Sequence, residues 1–378
     1  MQRNINLKLW WMPAVVILGA VAAIGSVTPA FAALNGESSS FQPEKANGNQ
    51  INGQGSVAEA RNAGHLIDVW EGNSGNPANP IGENKANPIW YSYDNGPPRQ
   101  LGNGNVTMAS PAVSPIGNNG AFMVFHTGTD GEINFSTVFG DNSALGWAQI
   151  PGQSTPNDFA VSAVPIGEGS NQVLVAYRSS NDNRVWESFY SDGQWSNPKN
   201  IGSGAGVGEA VAPPAICLDS ASSSIWAVAI GTDNQVWTNN QSLGAPSWPN
   251  WTPQGAFAAR PNLSGAPSDP STFDNRIQAP SCAVTNSGNV VLSYIDGNAH
   301  PNYKVLDSGG GLVSDWMQDS TGWQTANTVT LSANGNTVSA LFTGLPGALN
   351  SSQSTTRTAS NTASVTSGWF FWKQLYSQ

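Results

Sequence analysis

The chain has 378 residues, a net charge of −10 and 10% charged residues, where about a quarter is usual for a soluble domain. Nucleic acid and anionic membrane are excluded as principal ligands, because both call for a basic surface. Gly, Asn, Ser, Thr and Trp are abundant, a composition that suits many short strands joined by polar turns.

The first 32 residues read as an export signal. Arg3 and Lys8 precede the apolar run 14–24, and Ala30-Phe31-Ala32 is a small-residue cleavage pattern. Eleven apolar residues are short for a membrane span, so no span is expected after removal and the mature protein is expected outside the cell or on its surface. The removed segment carries two bases and no acid, which leaves the mature chain more acidic still. Residues 33–54 have little periodicity and are expected to form a flexible leader or a strap around the domain. Residues 55–378 are expected to form one domain.

Within that domain one layout recurs. Residues 225–230 (IWAVAI) are a fully apolar strand, Gly231-Thr232-Asp233-Asn234 a tight turn, and Gln235 to Thr238 the return strand. Trp248 to Trp251 is expected to open a third strand. The same order appears in 121–147 and in 173–195, with the turn aspartate as Asp130, Asp182 and Asp233. Separations of 52 and 51 residues fit a four-stranded propeller blade.

Counting by the innermost strand and its successor gives blade one at SVAEA and HLIDVW (from Ser56), with a return at Pro88 to Tyr93. Blades two and three begin at Ser110 and Ala160, blades four and five at Pro214 and Pro280, and blade six at Val329, closing in the Trp-rich 368–376. The fold class is therefore all-β, a six-bladed propeller of four-stranded antiparallel blades, or seven-bladed if the leader adds strands. Trp70, Phe125, Tyr177, Ala229, Tyr294 and Phe342 serve as equivalent markers, and the wide step between Ala229 and Tyr294 places a surface loop near 259–275. On the same count His126 takes the place of Arg178 in blade two. Ring closure removes open sheet edges.

Cys217 and Cys282 fall on the inner strands of consecutive blades; a disulfide and a pair of small buried side chains are both open. His65, His126 and His300 are scattered without metal-ligand spacing, and no nucleophile elbow occurs, so neither metal nor cofactor is expected. The turn aspartates read as turn caps before they read as calcium ligands. Of 15 tryptophans, Trp147, Trp195, Trp248, Trp323 and Trp369 are expected to pack between blades, while others can offer flat platforms for the C–H face of a sugar.

GTDNQVW at 231–237, with GTDGEI at 128–133, NDNRVW at 181–186 and the trailing Trp elements, resembles the PVL-like and PLL-like β-propeller lectins and, more distantly, the tectonin and fungal fucose-lectin propellers. The resemblance is close over blades two to four and loose over the rest. It implies a lectin that binds fucosylated or methylated glycans between neighbouring blades. In the fucose-lectin branch each site joins an Arg, a Glu and an aromatic residue. Glu187 matches that Glu, an ungapped match puts the Arg position on Leu174, and the Glu position holds Phe135 in blade two and Thr238 in blade four.

Trp186, Glu187 and Trp237 are thus the first candidate ligand-binding residues, with Arg178 and Tyr91 behind them. Several similar pockets on one rigid ring would bind a free monosaccharide weakly and a glycan-covered surface strongly. A scaffold propeller that holds another exported protein is the alternative. A sialidase-like or other glycosidase is the second, although the chain has no Arg-Ile-Pro and only the echo Ser191-Asp192-Gly193-Gln194-Trp195 of a sialidase box.

Overall fold

The computed structural model describes residues 45–46, 49–50, 57–72, 86–102, 104–167, 169–202, 207–245, 247–259, 277–318, 325, 328–334, 336–344, 357–364 and 373–374. The chain divides into two compact units, Met1–Ser38 and Ser39–Gln378. The first unit, and with it the export signal, lies outside the described residues, as do most of the leader, all but the first residue of the expected loop at 259–275, Trp323 and Trp369. Among its described residues the second unit has only strands, turns and irregular connections. None of the described residues forms a helix long and apolar enough to cross a membrane.

A two-residue ladder of β1 (Lys45–Ala46) with β2 (Asn49–Gln50) comes first. Blade one is β3 (Ala58–Asn62), β4 (His65–Glu71), β5 (Asn87–Tyr93) and β6 (Arg99–Gln100), with β7 (Val106–Thr107) also on β5. Blade two is β8 (Ala112–Ile116), β9 (Ala121–Thr127), β10 (Glu132–Val138) and β11 (Ala148–Ser154). Blade three is β12 (Ser162–Pro165), β13 (Gln172–Arg178), β14 (Val185–Ser191) and β15 (Gln194–Trp195), with β16 (Lys199–Asn200) also on β14. Blade four is β17 (Ala215–Asp219), β18 (Ser224–Ile230), β19 (Gln235–Ser242) and β20 (Thr252–Phe257). Blade five is β21 (Ser281–Val284), β22 (Val290–Ile295), β23 (Pro301–Leu306) and β24 (Leu312–Gln318). Blade six is β25 (Thr330–Asn334), β26 (Thr337–Gly344), β27 (Arg357–Ser364) and β28 (Lys373–Gln374).

All pairings are antiparallel, and apart from β7 on β5 and β16 on β14 they follow chain order. The inner strands β3, β8, β12, β17, β21 and β25 each lie against the next, and β25 returns to β3. Six blades therefore close a ring. Every blade, the sixth included, is built from its own consecutive strands among the described residues, so closure rests on packing and on contacts such as that of Ser332 with Glu59.

The sequence explains the blade form. Strand side chains alternate between faces, and a central strand of a blade must be apolar on both. In β9, Phe122 and Val124 enter the seam with blade one, while Met123 and Phe125 enter the seam with blade three. The seven residues of β18 are all buried, as the run at 225–230 requires. Trp248 to Trp251 does not open a strand; β20 starts one residue later, and both tryptophans fill the seam between blades three and four.

Among the described residues the five seams from blade one to blade six each have their own apolar core, and four of the outer tryptophans work as expected or in the same way. Trp147 and Trp251 donate their indole N–H to Leu101 O and Ile201 O of the preceding blade, at 2.9 and 2.8 Å. Trp316 does the same to Gln254 O at 2.8 Å. Trp195 packs edge-on against Phe125 and Phe135 of blade two. Between blades four and five Cys217 and Cys282 form a disulfide with their Cα atoms 5.8 Å apart, which settles the choice that the sequence left open.

Candidate functional site

The hairpin between the second and third strands of a blade is the unit from which the site is built. Its aspartate caps the turn: Asp130, Asp182 and Asp233 each accept the backbone N–H two residues on, at 3.1, 3.1 and 3.0 Å. The next residue takes the left-handed conformation, as Gly131, Asn183 and Asn234 at φ of 82°, 59° and 62°. Where a tryptophan follows four residues after the aspartate, the carboxylate also holds its indole. Trp186 Nε1 lies 3.0 and 3.2 Å from the two oxygens of Asp182, and Trp237 Nε1 lies 3.2 Å from Asp233. A second residue of each hairpin ties the blades together, since Gly131 O, Asn183 O and Asn234 O accept the backbone N–H of Thr155, Ala210 and Ala258 on the linkers that follow.

Strand pairing fixes which side chains share a seam. Arg178 pairs with Val185 and Ala176 with Glu187, and Ala176 and Val185 belong to the core between blades three and four. Arg178 and Glu187 therefore both face blade four. From the other side Trp237 packs into the same core. The third seam thus gathers an arginine, a glutamate and an indole, three of the five candidates.

Arg178 is anchored from three elements. Its Nε donates to Ala210 O and its Nη2 to Asn183 Oδ1, both at 2.6 Å, and its guanidinium lies 4.8 Å from the centre of the Phe159 ring. Burial pulls its pKa down while Asp158 and Glu209 push it up, and a guanidinium stays charged in either case. Nη1 takes no part in these bonds. Glu187 is 8% exposed. Burial raises its pKa; the Trp248 indole and the Lys199 ammonium, which sits opposite it on β16, oppose the rise, the indole without a hydrogen bond of normal geometry. A half-compensated carboxylate inside a seam is an electrostatic cost, and such groups concentrate at functional sites.

The other candidates lie elsewhere. Trp186 points to the opposite side of blade three and packs with the core of the second seam. Tyr91 occupies in blade one the position of Glu187, but it is buried in the first seam, with its hydroxyl 3.3 Å from Asn142 O and its pKa raised by burial. It is part of the packing. His126 does not stand in the place of Arg178. Pairing with Asn134 makes it the counterpart of Tyr177, and Thr127 is the counterpart of Arg178. The blade-two marker is likewise His126 and not Phe125. His126 is buried edge-on to Trp147, with ring centres 4.4 Å apart, and burial drives its pKa down to about 4.

Sequence reasoning missed the anchors of Arg178, because Phe159 and Ala210 come from linkers on either side of the blade and carry no motif of their own. Lys199 was equally hidden in a two-residue strand.

The set does not recur among the described residues. The positions of Arg178 and Glu187 hold Thr127 and Phe135 in blade two, Ile230 and Thr238 in blade four, and Ile295 and Tyr303 in blade five. The facing tryptophan position is Asn134 in blade two and Asn302 in blade five. Several equivalent pockets, as expected from the repeat, are therefore not what these blades offer. No three of His, Cys, Asp and Glu gather among the described residues.

No family model matches the chain, and no curated protein matches it in sequence. Solved structures do. The SapL1 lectin in complex with alpha methyl fucoside aligns over 86% of this chain and 97% of its own, at 14% identity and a TM-score of 0.51. The six-bladed β-propeller lectin of Aleuria aurantia, described with a novel fucose recognition mode, aligns over 85% and 95%, at 13% identity and a TM-score of 0.51. AofleA from Arthrobotrys oligospora aligns over 90% and 95%, at 11% identity and a TM-score of 0.52. The fold is that of these six-bladed propellers.

Proposed function

We propose that the protein is an exported lectin, a binding protein without turnover, that takes a sugar residue at the third seam. One observation carries this reading: Arg178, Glu187 and Trp237, distant in sequence and unrelated in chemistry, converge on a single seam. Trp237, with its edge fixed by Asp233, offers an indole face to the apolar C–H face of a sugar ring. The carboxylate of Glu187 accepts from ring hydroxyls, and Nη1 of Arg178 donates to one. Both charges are already positioned, so little ordering opposes binding.

The lectins to which the fold is similar include proteins described with fucose or a fucoside, which makes an α-L-fucoside the first ligand to try. The charge acting on Glu187 comes from Lys199 and not from a second carboxylate, which favours holding a glycan over hydrolysing one. The signal-like pattern of residues 1–32 supports export. Titration with methyl α-L-fucoside, followed by calorimetry, tests the reading. Binding in the micromolar to millimolar range is expected for so small a contact, roughly 4 to 8 kcal/mol. The outcome that rejects it is no heat with this sugar or with a glycan array.

A further inference from the structure

The second seam repeats the aromatic half of the third. Trp186 stands there as Trp237 stands in the third, its indole N–H held by Asp182. The facing wall is different. Thr127 replaces Arg178 and donates its hydroxyl to Phe159 O at 2.6 Å, and Phe135 replaces Glu187. At the end of β11 the wall then carries Gln153 and Thr155, each 1% exposed.

Both amide atoms of Gln153, Oε1 and Nε2, and the hydroxyl of Thr155 are buried without a hydrogen-bond partner. Their counterparts in blade four are known. A left-handed glycine precedes each pair, Gly152 at φ 69° and Gly255 at φ 71°, and Thr155 and Ala258 make the same 2.9 Å bond to the hairpin, to Gly131 O and Asn234 O. The counterparts are thus Ala256 and Ala258, both buried in the fourth seam. Alanine fills these positions in blade four, whereas a polar group buried there without a partner costs stability.

The unpaired atoms lie at the hairpin end of the second seam. Ser154, between the two residues, has its hydroxyl 2.6 Å from that of Ser180 and accepts the Ser180 backbone N–H at 3.2 Å. Ser180 belongs to the hairpin whose Asp182 fixes Trp186.

We propose that this end of the second seam is a separate binding site for a neutral polyhydroxylated ligand. A carboxamide offers one acceptor and two donors side by side, which matches two adjacent hydroxyls, and Thr155 supplies a third contact. Trp186 provides the flat face for the ligand's C–H groups. Asp182, the carboxylate at these positions, is engaged by the indole and by the Arg184 backbone N–H. Recognition by uncharged groups makes this binding insensitive to salt, unlike that at Arg178 and Glu187.

The test is a two-dimensional proton–nitrogen spectrum of the tryptophan indole N–H groups during titration with methyl α-L-fucoside, methyl α-D-mannoside and methyl β-D-galactoside. Trp186→Phe and Trp237→Phe assign the two signals. The expected result is that at least one sugar shifts the Trp186 signal saturably, that Glu187→Gln leaves this shift in place, and that the double variant Q153A/T155A weakens it at least tenfold. The double variant copies the residues of blade four; Gln153→Met, which keeps the bulk, stands in if it folds poorly. No movement of the Trp186 signal with any of the three sugars overturns the proposal, and so does a shift that Q153A/T155A leaves unchanged. Movement of the Trp237 signal alone would leave the third-seam reading standing while this one falls.

Discussion

At the scale of single residues, two buried titratable groups work in opposite senses. Burial raises the pKa of Glu187, so its carboxylate costs stability at neutral pH. The cost is absent below the unfolded pKa and grows as pH rises through the folded one. Glu187→Gln is therefore expected to melt at or above the wild-type temperature at pH 7, with the difference vanishing toward pH 4, while sugar binding falls at least tenfold. A melting temperature lowered at neutral pH would give Glu187 a structural role. His126 has its pKa lowered to about 4, so the stability it contributes is complete above the unfolded value of 6.5 and is lost as pH falls toward 4. That loss amounts to about 3 kcal/mol at most, and a pH series of denaturation curves on wild type and His126→Phe measures it; equal pH dependence in the two proteins contradicts it. The turn aspartates were legible in the sequence because a turn cap is local. The true register of His126 was not, because AFMVFHT is apolar on both faces and has no alternation to fix it.

At the scale of elements, the tryptophans divide by strand. Those of the outer strands and the segments before them, Trp147, Trp251 and Trp316, bond carbonyls of the preceding blade, whereas Trp186 and Trp237 on third strands are partly buried and bond only their own hairpins. Trp251→Ala is expected to cost about 3–5 kcal/mol, the usual range for a buried aromatic. Trp237→Ala is expected to cost well under that and to abolish binding at the third seam. Chemical denaturation of the two variants decides, and equal losses would make Trp237 another packing residue. Both kinds of tryptophan sit in similar local sequences, so their roles depend on which seam a strand face meets. That is a property of the ring and not of the strand.

At the scale of the whole molecule, the blade count was readable because each blade is a local antiparallel sheet of nearly constant length. The disulfide was not, since Cys217 and Cys282 meet only when the inner strands of blades four and five are brought together. The bond closes a 65-residue separation, and in the chain-entropy description it stabilises the fold by about 4 kcal/mol. Reduction, or the pair C217S/C282S, should lower the melting temperature, and an unchanged value would show that the ring holds blades four and five together without it. The repeat also suggested several equal pockets, but ring closure needs only similar packing from blade to blade, not similar chemistry at the hairpin end. The arginine, glutamate and tryptophan meet at one seam among those described. The central claim is therefore tested most directly by calorimetric titration of wild type and Glu187→Gln with methyl α-L-fucoside: the account expects saturable binding in the wild type that the folded variant loses at least tenfold, and equal binding by both proteins would contradict it.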